Sequence, residues 1–182
     1  MCVALLVLVP GPLPAAESCF PPDAPVDPFH RSWYCKHLAA GGLGLLAGDL
    51  AFRFIHLPTF DPPRVVTVTV ESGTPVVVGI VLGGAGGYEP GQPKQRTRRV
   101  LKADEIRLLM QRLENAGVWE PPDTDVRTGV DGSRWILEAR KNGRYQLHDV
   151  WSPDARTFPQ FVKVATYMLE LAGITPEEGK LY

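Results

Sequence analysis

Residues 134–153 read RWILEARKNGRYQLHDVWSP, and at their centre Asn142-Gly143 separates two runs rich in β-forming residues. Both central residues of a type I′ turn need positive φ, which Asn-Gly tolerates best, so the stretch predicts a two-residue β-hairpin. Such a turn sets the register. Lys141 faces Arg144, and moving outward Arg140 faces Tyr145, Glu138 faces Leu147, Ile136 faces Asp149 and Arg134 faces Trp151. The opposite face carries Trp135, Leu137 and Ala139 against Val150, His148 and Gln146; it is mostly apolar and reads as the core face. One extra residue in the turn would exchange the sides on one strand. Pro153 cannot donate to a ladder and biases Ser152 toward extended backbone, which ends the second strand.

Working upstream, FRFIHL (residues 52–57) alternates until Pro58, and RVVTVTVE (64–71) and PVVVGIVL (75–82) flank Ser72-Gly73-Thr74. This predicts a second hairpin with a connection of about three to five residues. Val76 to Leu82 is apolar throughout, the pattern of a central strand covered on both faces. QRTRRVL (95–101) is a polar strand leading into ADEIRLLMQRLENAG (103–117), where Ile106, Leu109, Met110, Leu113 and Ala116 recur at helical spacing. Downstream of the hairpin, Phe161, Val164, Ala165, Met168 and Ala172 give the last helix its apolar face, and Gly173 closes it. Strands, helix, hairpin, helix in that order predict an α+β fold: an antiparallel sheet of about 5–6 strands with helices packed on one face.

The chain has 182 residues, of which 45% are hydrophobic, enough for one domain with a core. A net charge of -1 supplies no global field for nucleic acid or an anionic membrane, so no nucleic-acid partner is expected. The opening MCVALLVLVPGPLPAAESC has an apolar run from Val3 to Val9 and then small residues, the pattern of a secretory signal that lacks its basic n-region. That run is too short for a transmembrane span. Residues 1–18 therefore read as a signal peptide, with a buried N-terminal strand as the alternative. Residues 19–50 read as a Pro/Gly-rich linker with a short helix that Asp27 caps ahead of Pro28, and 51–175 as the single α+β domain. Export puts the protein in the periplasm or outside the cell. Cys2 leaves with the signal, and Cys19 and Cys35 remain as a pair able to form a disulfide in an oxidising compartment. A rival reading makes Cys19 the lipid-anchored first residue of a lipoprotein, because Ser18 precedes it; Glu17 and Ala16 fit that pattern poorly.

Motifs that carry chemistry are sparse. The glycine-rich run after Leu82 has no Gly-Lys-Ser/Thr, and Tyr88-Glu89 stand where a third glycine is wanted, so it reads as a mobile loop and not as a phosphate cradle. Lys94 to Arg99 alternate along a strand as a solvated edge would. His30 and His37 are seven apart, too far for an i, i+4 zinc clasp, and His56 stands alone, so neither metal nor cofactor is expected. His148 and Asp149 are strand neighbours pointing to opposite faces. What stands out is the polar, aromatic side of the hairpin: Arg134, Glu138, Arg140, Tyr145, Asp149 and Trp151, a composition found at recognition patches. The plainer reading makes these residues cross-strand support, with Arg134 lying over Trp151. The function this predicts is a non-enzymatic exported binding or interaction module, its partner another envelope protein or a peptide. The alternative is a small exported hydrolase using Glu138 or Asp149 with His148 or Tyr145.

Taken together, the signal-like start, WYCKHL (33–38), GGYEPG (86–91), DGSRWILEARKNGRYQLHDVWSP (131–153) and the closing amphipathic helix resemble a set of uncharacterised bacterial exported proteins. The resemblance spans most of the chain after the signal. It implies export and no particular activity.

Overall fold

A computed structural model describes residues 18–121, 129 and 131–175; Cys2 and the apolar run Val3 to Val9 lie outside them. The first element is α1 (Pro28–Ala40), whose N-cap Asp27 accepts the backbone N–H groups of Phe29 and His30 at 3.0 and 3.1 Å. Four strands follow: β1 (Leu50–Pro58), β2 (Arg64–Glu71), β3 (Thr74–Leu82) and β4 (Pro93–Val100). Then come α2 (Ala103–Asn115), the hairpin β5 (Ser133–Lys141) and β6 (Arg144–Trp151), and α3 (Pro159–Leu171). The six strands form one sheet in the order β4-β3-β2-β1-β5-β6, every neighbouring pair antiparallel, which is the α+β class that the element order predicts.

The β5–β6 register is the predicted one pair for pair, and Asn142 and Gly143 take φ of 50° and 81°. Two local expectations differ. Glu71 pairs with Thr74, so the upstream hairpin turns in two residues, Ser72 (φ 49°) and Gly73 (φ 82°), a shorter connection than predicted. Ser152 is not extended but left-handed at φ 41°, held there because its N–H donates to the Ser133 carbonyl (2.7 Å) and its Oγ accepts the Ser133 N–H (2.9 Å). These two bonds outweigh the local bias of the following proline.

Two hydrophobic cores lie on opposite faces of the sheet. On one side α2 and α3 cover Phe52, Phe54, Val66, Val68, Trp135, Leu137 and Val150. These are the two helices of the predicted order, and they do share a face. On the other side Phe20, Tyr34 and Leu38 pack on Ile55, Leu57, Val65, Ile136 and Leu147. The segment read as a linker is therefore a third layer, because α1 carries Tyr34 and Leu38 into that core. The sulfur atoms of Cys19 and Cys35 lie at disulfide distance, with Cα atoms 5.3 Å apart, and tie the incoming chain to α1. Enclosure on both faces falls on β1, buried from Ala51 to Pro58, and not on β3, which has exposed and half-buried positions next to the edge strand.

Basic residues of the edge strand β4 are docked onto their neighbours. Arg96 donates to the Gly41 carbonyl (2.6 Å), Arg99 to the Leu171 carbonyl (2.8 Å) and Thr97 to the Ala172 carbonyl (2.7 Å). The end of α3 sits so close to β3 that a Cβ at Gly79 would lie 2.8 Å from the Ala172 side chain. No helix among the described residues is long and apolar enough to cross a membrane.

Candidate functional site

Strand alternation puts Arg134, Glu138, Tyr145, Asp149 and Trp151 on one face of the hairpin, but α1 and the chain leading into it land on that face. Glu138 is 0% exposed and ion-paired with Arg53, itself 2% exposed, from the neighbouring β1. The Tyr145 hydroxyl donates to Glu138 Oε1 at 2.8 Å. Arg53 also donates to the Gly44 carbonyl (2.6 Å) and the Cys19 carbonyl (3.0 Å). Burial pushes the Glu138 carboxyl up from its ordinary range, opposed by the Arg53 guanidinium. Burial, with the Glu138 charge beside it, pushes the Tyr145 phenol up as well. Two of the six predicted patch residues, Glu138 and Tyr145, thus join Arg53 in an internal network that fastens the N-terminal layer to the sheet. Arg140 is half-buried beside the turn, opposite Tyr145.

Of the pairings expected for a hydrolase, those with His148 do not form. His148 lies on the α2/α3 face with its Nε2 2.9 Å from the Val118 carbonyl, on the far side of the sheet from Asp149 and Glu138. Glu138 and Tyr145 do meet, but the Glu138 side chain is fully buried there. His56 stacks on Phe54 in the main core and His37 is fully buried, where loss of solvation holds its imidazole below the usual range. Among the described residues no three His, Cys, Asp or Glu side chains come together as a metal site.

Two further patch residues, Arg134 and Trp151, emerge at the far end of the hairpin, in a cleft of about 520 Å³. Its aromatic walls are Phe29 and Trp33 from α1, Tyr88 from the glycine-rich run and Trp151 from β6. Arg134 lines it too; it is 7% exposed, its guanidinium centred 5.2 Å from the Trp151 ring, with Nη1 donating to Asp149 Oδ1 at 3.3 Å. Asp149 Oδ2 in turn accepts the Tyr34 hydroxyl at 2.6 Å, and burial together with that carboxylate pushes the Tyr34 phenol up. The Nε of Arg134 is buried with no hydrogen-bond partner among the described residues. Lys36 lines the cleft one helical turn beyond Trp33 and pairs with Glu89 at 2.6 Å. His30 also lines it, its Nδ1 against the Asp27 carboxylate that caps the helix.

The glycine-rich run that builds one wall is not the mobile loop expected. Its backbone folds back on itself, with Gly83, Gly84 and Ala85 N–H groups donating to Gln92, Pro90 and Glu89 carbonyls, and Gly86 and Gly87 N–H groups donating to Asp61 and Thr59. The Gly86 carbonyl accepts the Trp33 indole N–H at 2.8 Å, which locks the run against α1. A Cβ at Gly84 would sit 1.9 Å from the Glu89 carbonyl oxygen, so this close turn admits only glycine.

Of the six predicted surface residues, then, the cleft takes Arg134 and Trp151, while Glu138, Tyr145 and Asp149 are buried or half-buried beneath α1. Phe29, Trp33, Lys36 and Tyr88 were missed. A signal existed: Phe29, Trp33 and Lys36 fall at i, i+4, i+7 on α1, an aromatic stripe ending in a cation, where an ordinary packed stripe would be aliphatic. No protein-family model matches this chain, and no curated protein matches it.

Proposed function

We propose that the chain is an exported, non-enzymatic binding module whose ligand occupies the aromatic cleft between α1, the glycine-rich turn and the end of the hairpin. The carrying observation is the convergence there of Phe29, Trp33, Tyr88 and Trp151 with the guanidinium of Arg134 in about 520 Å³. Ligand sites are concave and mostly apolar, with a few placed polar groups, and span about 300–1,000 Å³. A cleft of this size takes a small molecule, whereas a folded envelope protein needs a patch of about 800 Å². The walls are also held rigidly: Trp33 is fixed by the Gly86 carbonyl, and Arg134 by Asp149, so little order is lost on binding.

Export rests on the signal-like start and on the Cys19–Cys35 pair, a bond suited to an oxidising compartment. Cys19 is buried and its sulfur is engaged by Cys35, which favours the disulfide over a lipid anchor on the same atom. Mass spectrometry of the processed protein tests this. A mature terminus between Glu17 and Cys19 is expected; an intact Met1 in cytosolic material overturns export, and a diacylglyceryl mass on Cys19 overturns the disulfide. Tryptophan emission during titration with a small-molecule panel tests the cleft, since two of the four Trp residues line it. Trp151→Ala should abolish binding while the fold is retained; unchanged binding in that variant removes the reading.

A further inference from the structure

We infer that the ligand of this cleft is a small organic anion built on a planar ring, a ring-bearing carboxylate. The inference rests on the cleft being the binding site and adds the chemical class of its occupant. Four aromatic side chains offer ring faces and edges, against which a planar ring gains offset or edge contacts that a flexible chain does not. The charges in the lining then choose the sign of the guest. Among the described residues, Arg134 and Lys36 line the cleft and no Asp or Glu does. An aromatic cage alone would also suit a quaternary ammonium ion, but two cations in the wall oppose one.

Both cations have counter-ions outside the lining, and these set the size of the guest charge. Lys36 is held by Glu89 in an exposed pair, which contributes little and is readily exchanged. Arg134 has one donor on Asp149, and among the described residues its buried Nε has no acceptor, so Asp149 does not saturate the guanidinium. Its planar fork suits a carboxylate. The two paired carboxylates stand outside the lining and leave the cations nearest the guest, but at a distance they cancel that charge, so a guest with one negative charge meets less repulsion than a phosphate dianion.

The test uses the full oxidised chain and four compounds with one ring scaffold: 3-phenylpropanoate, 3-phenylpropanamide, 3-phenylpropylamine and phenyl phosphate, each with its naphthyl counterpart. Binding is followed by tryptophan emission and calorimetry. The carboxylate should bind at least about tenfold more tightly than the amide, a free-energy difference of about 1.4 kcal/mol, and more tightly than the phosphate, with the amine weakest. Lys36→Gln, at an exposed position that leaves the fold intact, should weaken the carboxylate about threefold and leave the amide unchanged. Arg134→Gln, checked for folding by circular dichroism, should remove the preference for the carboxylate. Equal binding of amide and carboxylate overturns the anion while leaving the cleft as a site; phosphate binding above carboxylate overturns the monoanion. No response to any of the eight compounds at millimolar concentration overturns the cleft itself and the inference with it.

Discussion

Replacing Arg53 by Met should convert Glu138 from a paired ion into a buried acid without a counter-ion. Arg53 and Glu138 are 2% and 0% exposed, and the guanidinium also serves the Gly44 and Cys19 carbonyls, so methionine fills the volume but strands three acceptors. Breaking a buried pair by removing one partner costs about 3–5 kcal/mol. The cost depends on pH in a defined sense. Burial already raises the Glu138 carboxyl, and without Arg53 it rises further, so the folded variant binds a proton that the unfolded chain releases near pH 4.5. A raised folded-state pKa contributes stability that is present at low pH and lost as pH rises through it. The gap between wild type and variant should therefore widen from pH 5 toward pH 8, by up to about 1.4 kcal/mol per pH unit. Equilibrium urea unfolding at pH 5, 6, 7 and 8 measures it. The double variant Arg53→Met with Glu138→Leu should show a smaller loss and a gap flat in pH. A single-variant loss below about 1 kcal/mol at pH 8, or one independent of pH, would refute the claim that α1 and its leading segment seal this face of the sheet.

Trp135→Ala should cost about 3–5 kcal/mol, because this fully buried ring packs on Phe54 and Phe161; Trp151→Ala should cost markedly less in thermal unfolding, and equal losses would mean that the cleft wall is core. Replacing both Cys19 and Cys35 by Ser should lower stability by about 3 kcal/mol, from the chain entropy of a loop this long, and dithiothreitol should produce the same loss in the wild type. Glu105, drawn down to about 2 by Arg99 and by the Lys102 N–H it accepts, contributes stability that is present above about pH 4.5 and lost as pH falls toward 2. Glu105→Gln should therefore lower stability at pH 7 by less than about 1 kcal/mol, because the pair is partly solvated, and the difference should vanish in urea unfolding near pH 2.

Local chemistry decided the hairpin. Asn142-Gly143 admits one kind of turn, and a period of two then assigns every side chain from Arg134 to Trp151 to its face, so register and the burial of Trp135 were legible in the sequence. The helices were legible for the same reason: Asp27 and Pro28 mark one start, and Gly117 and Gly173 mark two stops. Alternation states which residues share a face, but not what covers it. Glu138, Arg53 and Tyr145 satisfy one another, and so a polar face could be buried without an apolar pattern to announce it. The sequence carried the α1 stripe of Phe29, Trp33 and Lys36 but not its meeting with the rest of the cleft. Its walls come from residues 29–36, 88, 134 and 151, distant along the chain, and the antiparallel order of the sheet with α1 laid across it is what brings them together.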